Sequence, residues 1–240
     1  IASFVCACVD QKPYETEAFL KAALERQSPK VVVLETNVLY RVYSRVDRIV
    51  PAAQRLFPVL RYHSRWKSLT LRDLQSPEYT GEYPDRGYHL LLAADPRKDL
   101  EGYMAPTDAR EALSGANLRS LRNISNLCRE KNIRLILYSV PSPENWSMAR
   151  HNTMEDLARE LGVLYLDGNL ESRDIDWDRD TYDNGDHLNY YGAAKITRWL
   201  GDFLSDTLPD HRGEAAYAAW DRDLTALPER IQAKMEETKE

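Results

Sequence analysis

The chain has 240 residues, with 32 Lys+Arg against 38 Asp+Glu for a formal net charge of -6, and 43% hydrophobic and 10% aromatic residues. That suffices for one globular domain with a sizeable core, and the 14 Tyr and 5 Trp are too many for a disordered chain. The acidic balance and the lack of a Lys/Arg cluster argue against nucleic acid as a partner, because such binding depends on neutralising many phosphates. No apolar window approaches the ~18 residues of a membrane span. Three cysteines, with Cys6 and Cys8 two apart, imply no disulfide framework.

In chain order, Ala2–Val9 has the composition of a strand, and Pro13 opens a helix from about Tyr14 to Gln27, with Phe19/Ala23 and Leu20/Leu24 at helical spacing. Lys30–Glu35 (KVVVLE) is too uniformly apolar for a one-sided sheet and predicts a buried strand. Val38–Leu60 is helical but interrupted by Pro51 and Pro58. Tyr62–Leu100 is irregular and too long for a plain connector, so it is an insertion or a substrate-facing cap. Asp108 with Glu111 resembles a capping box opening a helix through Leu121, Ile124 and Cys128. A strand at Ile133–Val140, a helix with Met154, Leu157, Ala158 and Leu161 ending at Gly162, and a short strand at Val163–Leu166 complete the βα units.

Asn189 is a good N-cap for a helix with Ala193, Ile196, Trp199, Leu200, Phe203 and Leu204 on one wide apolar stripe. Beyond residue 208 the chain is a polar tail ending in a charged helical stretch, Pro228–Glu240. This division gives an α/β domain over 1–208 and an appendage over 209–240. The alternation of short apolar runs with helices predicts an α/β fold with a mostly parallel sheet.

The sharpest local feature is Tyr182-Asp183-Asn184-Gly185-Asp186-His187-Leu188-Asn189, directly before the last stripe helix. A histidine in a polar turn at a helix start, with carboxylates one and four residues back, has the parts of a general base and its orienting acid. The same residues also make an ordinary solvated turn with an Asn cap.

The run DHLNYYGAAK followed by TRWLGDFL resembles the C-terminal block of SGNH (GDSL-type) hydrolases. More narrowly, it is similar to the bacterial cell-surface branch related to the teichoic-acid D-alanyl transfer protein and the alginate O-acetylation proteins. KVVVLETN, YHSRW, YSVPSPENWS, LPDHRG and YAAW extend the resemblance over most of the chain. It implies a flavodoxin-like three-layer sandwich and a Ser, Asp and His triad; His89, His151 and His211 lack ligand-spaced partners and no CxxC or HExxH occurs, so no metal is expected, and no cofactor. By position His187 matches the catalytic His. The family's Asp falls at Asn184, which leaves Asp183, preferred, and Asp186 as candidate acids. Asn37 stands at the oxyanion Asn, although Glu35-Thr36-Asn37-Val38 lacks the family's Gly and Asp; the other reading of Asn37 is a helix cap.

His63 and Trp66 are candidate substrate contacts, the alternative for each being a packed anchor. The family's Gly-x-Ser turn is absent, so either the first strand lies upstream of this chain or the nucleophile is missing. The resemblance implies an O-acyl esterase or acyltransferase acting on a glycan or acylated cell-wall polymer beside a membrane-bound O-acyltransferase. It implies an extracytoplasmic location and an N-terminal membrane anchor that this chain does not include. A non-catalytic glycan-binding or assembly protein is the other function class.

Overall fold

The structure is a computed structural model and describes residues 1–8, 10–43, 86–171 and 174–237. One compact unit comprises Ile1–Tyr40 and Pro84–Glu240, and Arg41–Tyr83 forms a second. His63 and Trp66 lie outside the described residues.

The first unit is built on three parallel strands, β1 (Val31–Glu35), β2 (Arg134–Ser139) and β3 (Leu164–Asp167), in the order β1-β2-β3. Val33 pairs with Ile136 and Leu137 with Tyr165, so the two apolar runs expected to share a parallel sheet do so. The helices are α1 (Pro13–Leu24), α2 (Gly115–Glu130), α3 (Met148–Leu161), α4 (Gly168–Glu171), α5 (Tyr190–Ser205) and α6 (Ala218–Glu237). Short 3-10 turns occupy Asn37–Tyr40 and Ala215–Tyr217.

Alternating strand residues feed two apolar clusters, as a period of two requires. On one face Leu34, Leu135 and Leu137 meet Leu121, Ile124 and Cys128 of α2 and Met154 and Ala158 of α3, with Leu20 and Leu24 of α1 at the margin. On the other, Ile136, Tyr138 and Leu166 meet Ile196 and Leu204 of α5, and Trp199 lies 5.8 Å from the Tyr138 ring. Helices therefore cover the sheet on both sides. A mixed α/β fold with a parallel sheet is what the alternation of apolar runs and helices predicts.

Several expectations need correction. Ala2–Cys8, the described part of the run expected to be the first strand, forms none: Val5 N–H bonds the Arg86 carbonyl at 2.8 Å, and Ile1, Phe4 and Val5 stay exposed. Among the described residues no strand lies beside it, and a run of strand-like composition without a partner makes no ladder. KVVVLE is a strand but is not buried throughout, because β1 ends the described sheet and Val33 is 37% exposed; β2, between two strands, is the buried one. Of the helical stretch expected over Val38–Leu60, the described part is a 3-10 turn at Asn37–Tyr40 followed by Arg41–Tyr43 without helix, and the remainder lies outside the described residues. Asp108 and Glu111 open no helix. Ser114 caps α2 by accepting Asn117 N–H at 3.2 Å, while the Glu111 carboxylate is taken by Arg150. The C-terminal helix begins at Ala218 and carries Pro228 inside it. Arg86–Leu100, the described part of the expected insertion, has neither helix nor strand.

In α5 the Asn189 Oδ1 accepts Tyr191 and Gly192 N–H at 3.0 and 3.3 Å, and its Nδ2 donates to the Arg179 and Ala93 carbonyls at 2.7 and 3.0 Å. One fully buried side chain thus ties the helix start to two loops. Gly192 lies against this junction: a Cβ there would sit 2.5 Å from the Asp180 carbonyl oxygen. Backbone cannot yield as a side-chain tip can, so Gly192→Ala is expected to destabilise by about 1–3 kcal/mol, read as a lower urea midpoint with an unchanged m-value.

Candidate functional site

The turn before α5 is shaped by its own polar residues. Asn184 (φ 55°) and Gly185 (φ 91°) both take the left-handed conformation that Asn tolerates and Gly adopts freely. Thr181, fully buried, holds both ends of the turn: its hydroxyl donates to the His187 carbonyl at 2.9 Å and accepts Gly185 N–H at 2.8 Å. Beneath it the buried Asp180 carboxylate pairs with Lys195 Nζ at 2.6 Å and accepts Asp176 N–H at 2.8 Å.

This turn returns the chain so that Asp183 grips His187 twice. Its Oδ1 accepts the His187 backbone N–H at 2.7 Å, and its Oδ2 stands 2.6 Å from the imidazole Nδ1. Nδ1 donating to Asp183 leaves Nε2 as the basic nitrogen. Asp186 is 3.5 Å from Nδ1, and its Oδ1 accepts from the Asn145 side-chain amide. The geometry therefore gives the two carboxylates different tasks, Asp183 on the ring and Asp186 on Asn145. Tyr182 stacks beside the imidazole with centroids 5.7 Å apart. The His187 side chain is 51% exposed, and no hydrogen bond from the described residues reaches its Nε2.

At the end of β1 the helix-cap reading of Asn37 passes to Glu35, whose carboxylate accepts Asn37 N–H at 2.8 Å and Val38 N–H at 3.2 Å. The Asn37 side chain instead meets Arg150, whose Nη1 donates to Asn37 Oδ1 at 3.3 Å. With its oxygen engaged, Asn37 presents its amide hydrogens as donors, the property an oxyanion contact needs. Arg150 is itself fixed: Nε and Nη2 bind Glu111 at 3.0 and 2.8 Å, and its guanidinium lies 4.3 Å over the Tyr40 ring. The same Nη1 donates to the Asn145 carbonyl at 2.5 Å.

A hydrogen-bonded chain, Asn37–Arg150–Asn145–Asp186, thus joins the end of β1 to the turn that carries His187. Asn145 lies in the run YSVPSPENWS, but neither it nor Arg150 and Thr181 stands out by sequence, because their roles arise from partners 41, 113 and 6 residues away.

Among the described residues, Asp183, Asp186 and His187 offer ligand atoms within 4.8 Å of one another, close enough to hold an ion. An ion at Nδ1 would have to displace the Asp183 hydrogen bond, and Asp186 would have to give up Asn145. The arrangement suits proton transfer at Nε2 better than chelation. All three cysteines are free, Cys6 and Cys8 exposed and Cys128 buried. No described helix is long and apolar enough to cross a membrane.

Comparison of the chain with family models, with curated proteins and with solved structures finds no match.

Proposed function

We propose that this chain carries the acid–base half of a serine-dependent O-acyl esterase or acyltransferase of SGNH type, acting on a cell-envelope glycan. One observation carries the reading: Asp183 clamps the His187 ring at Nδ1 and its backbone at N–H, leaving Nε2 open to a hydroxyl. A base so held removes the serine proton as the oxygen attacks the ester carbonyl, and then returns it to the departing alkoxide. Asn37, its oxygen occupied by Arg150, donates its amide hydrogens to the oxyanion formed in between. On this reading the serine belongs to a segment upstream of Ile1, and helices on both faces of a parallel sheet agree with a three-layer sandwich of that type. The polymer is met outside the cytoplasm, where an N-terminal anchor would hold the protein beside a membrane-bound O-acyltransferase.

The alternative of a glycan-binding module that has lost the chemistry draws on the absence, among the described residues, of any hydroxyl bonded to His187 Nε2. A fluorophosphonate probe separates the two. The full-length protein is expected to be labelled on one serine and to lose turnover of an acetyl ester in proportion. Absence of both labelling and turnover would defeat the enzyme reading. Recovery of the full-length protein from cells solely as a soluble cytoplasmic pool would defeat the envelope substrate.

A further inference from the structure

A second histidine–carboxylate pair is more deeply built than the first. His151 on α3 places Nδ1 2.7 Å from Oδ2 of Asp167, at the carboxyl end of β3, and the Asp167 side chain is 2% exposed. Trp146 Nε1 and the Tyr165 hydroxyl donate to the same oxygen at 3.1 and 2.9 Å. Asn169 donates its backbone and side-chain N–H to Oδ1 at 2.9 and 2.7 Å. Five donors on one buried carboxylate keep it ionised, and the imidazole ring is held in a single orientation. His151 Nε2 makes no hydrogen bond among the described residues.

His151 opens on a cavity of about 390 Å³ between α3, β3 and α4, within the range of small-molecule sites of about 300–1,000 Å³. Glu155 and Arg159 follow His151 at successive turns along α3, Glu171 lines the cavity from α4, and Leu164 and Leu170 supply apolar surface. None of the residues of the His187 turn lines it.

We propose that this cavity binds an uncharged, hydroxyl-rich ligand of saccharide size. Glu155 and Glu171 oppose an anion, while Arg159, 3.7 Å from Glu155, and the His151 ring oppose a cation. A ligand whose groups both donate and accept satisfies all four: its hydroxyls donate to the carboxylates, accept from the guanidinium, and donate to or accept from His151 Nε2 as that nitrogen is free or protonated. Its C–H faces then lie on Leu164 and Leu170. The hydrogen bond to Asp167 outweighs burial and, with the charges of Asp167, Glu155 and Glu171 added, raises the His151 pKa.

The site stands independently of the esterase reading, and its test uses no catalytic readout. Cellobiose, sodium acetate and ethylammonium chloride are titrated separately into the whole chain while the His151 and His187 imidazole resonances are followed by NMR. Cellobiose is expected to shift His151 and leave His187 in place, with each charged probe at least about tenfold weaker. Leu170→Trp narrows the cavity from a side chain that is 38% exposed, outside the Asp167 network, and is expected to weaken the cellobiose response at least about tenfold in a folded protein. The proposal is overturned if His151 does not respond to cellobiose, if acetate or ethylammonium shifts it at equal or lower concentration, or if Leu170→Trp leaves the response undiminished.

Discussion

On the proposed esterase reading, Asp183→Asn in the full-length protein is expected to lower ester turnover by on the order of 10⁴, the loss seen when the best-studied triad has its acid made an amide. Asp186→Asn is expected to cost far less. The difference follows from what each carboxylate holds. Asp183 accepts from both the ring Nδ1 and the backbone N–H of His187, so its charge sets the tautomer and stabilises the imidazolium. An asparagine there can keep the backbone bond through its oxygen while its NH₂ faces Nδ1, which favours the tautomer with the proton on Nε2. Folding survives while the base is lost. Asp186 stands 3.5 Å from the ring and is committed to Asn145. The check is kcat for each variant against an acetyl ester, with unfolding midpoints measured alongside. A larger loss for Asp186→Asn than for Asp183→Asn would transfer the acid's role to Asp186.

The second large effect is on stability. Asp167→Ala removes the acceptor of five hydrogen bonds and leaves His151, Trp146, Tyr165 and Asn169 without their shared partner. Breaking a buried pair on one side costs about 3–5 kcal/mol. For a unit of this size that is a fall of about 6–20 °C in Tm, at about 2–4 °C per kcal/mol.

The same pair gives a pH profile. Burial alone would raise the Asp167 pKa, but the bonds from His151, Asn169 and Tyr165 outweigh it and hold the carboxyl below its ordinary range. The stability it contributes is present above about pH 3.9, the unfolded value, and is lost as pH falls through its folded pKa. His151 is raised, so its contribution is full below about pH 6.5 and is lost as pH rises through its own folded value. Thermal unfolding of the wild-type chain is therefore expected to show this pair's full contribution between about pH 4 and 6.5 and a decline on both sides. His151→Asn should remove the part of the alkaline decline that the ring supplies. An alkaline slope identical in His151→Asn and wild type would show that this pair does not titrate with folding.

What the sequence discloses about this fold depends on whether the signal is local. β2, α3 with Gly162 beyond it, and α5 with Asn189 as its cap are legible because an apolar run or a capping residue acts on its immediate neighbours. Ala2–Cys8 misleads because strand composition says nothing about whether a neighbouring strand exists. Asp108 and Glu111 mislead because a capping box and an ion-pair acceptor use the same carboxylate, and Arg150, 39 residues on, claims it. In the candidate site, His187 and its two carboxylates are adjacent in sequence and could be read as a unit. The choice between Asp183 and Asp186 required the turn, and the orientation of Asn37 required Arg150, 113 residues away. His151 has no ligand-spaced neighbour in sequence, and its partner Asp167 sits on the next strand, so the second pair leaves no local pattern.

The pairing of β1 with β2 has a consequence for how the chain acquires its structure. Thr36 and Ser139, whose hydroxyls meet at 2.6 Å just beyond that pairing, are 103 residues apart. Contacts of such long range form slowly. At synthesis rates of about 5–20 residues per second, Val31–Glu35 leaves the ribosome on the order of 5–20 s before its partner strand exists. Through that interval an apolar, β-branched segment lacks the partner it has in β2, which makes it a site for nascent-chain binding by a chaperone, or for aggregation without one.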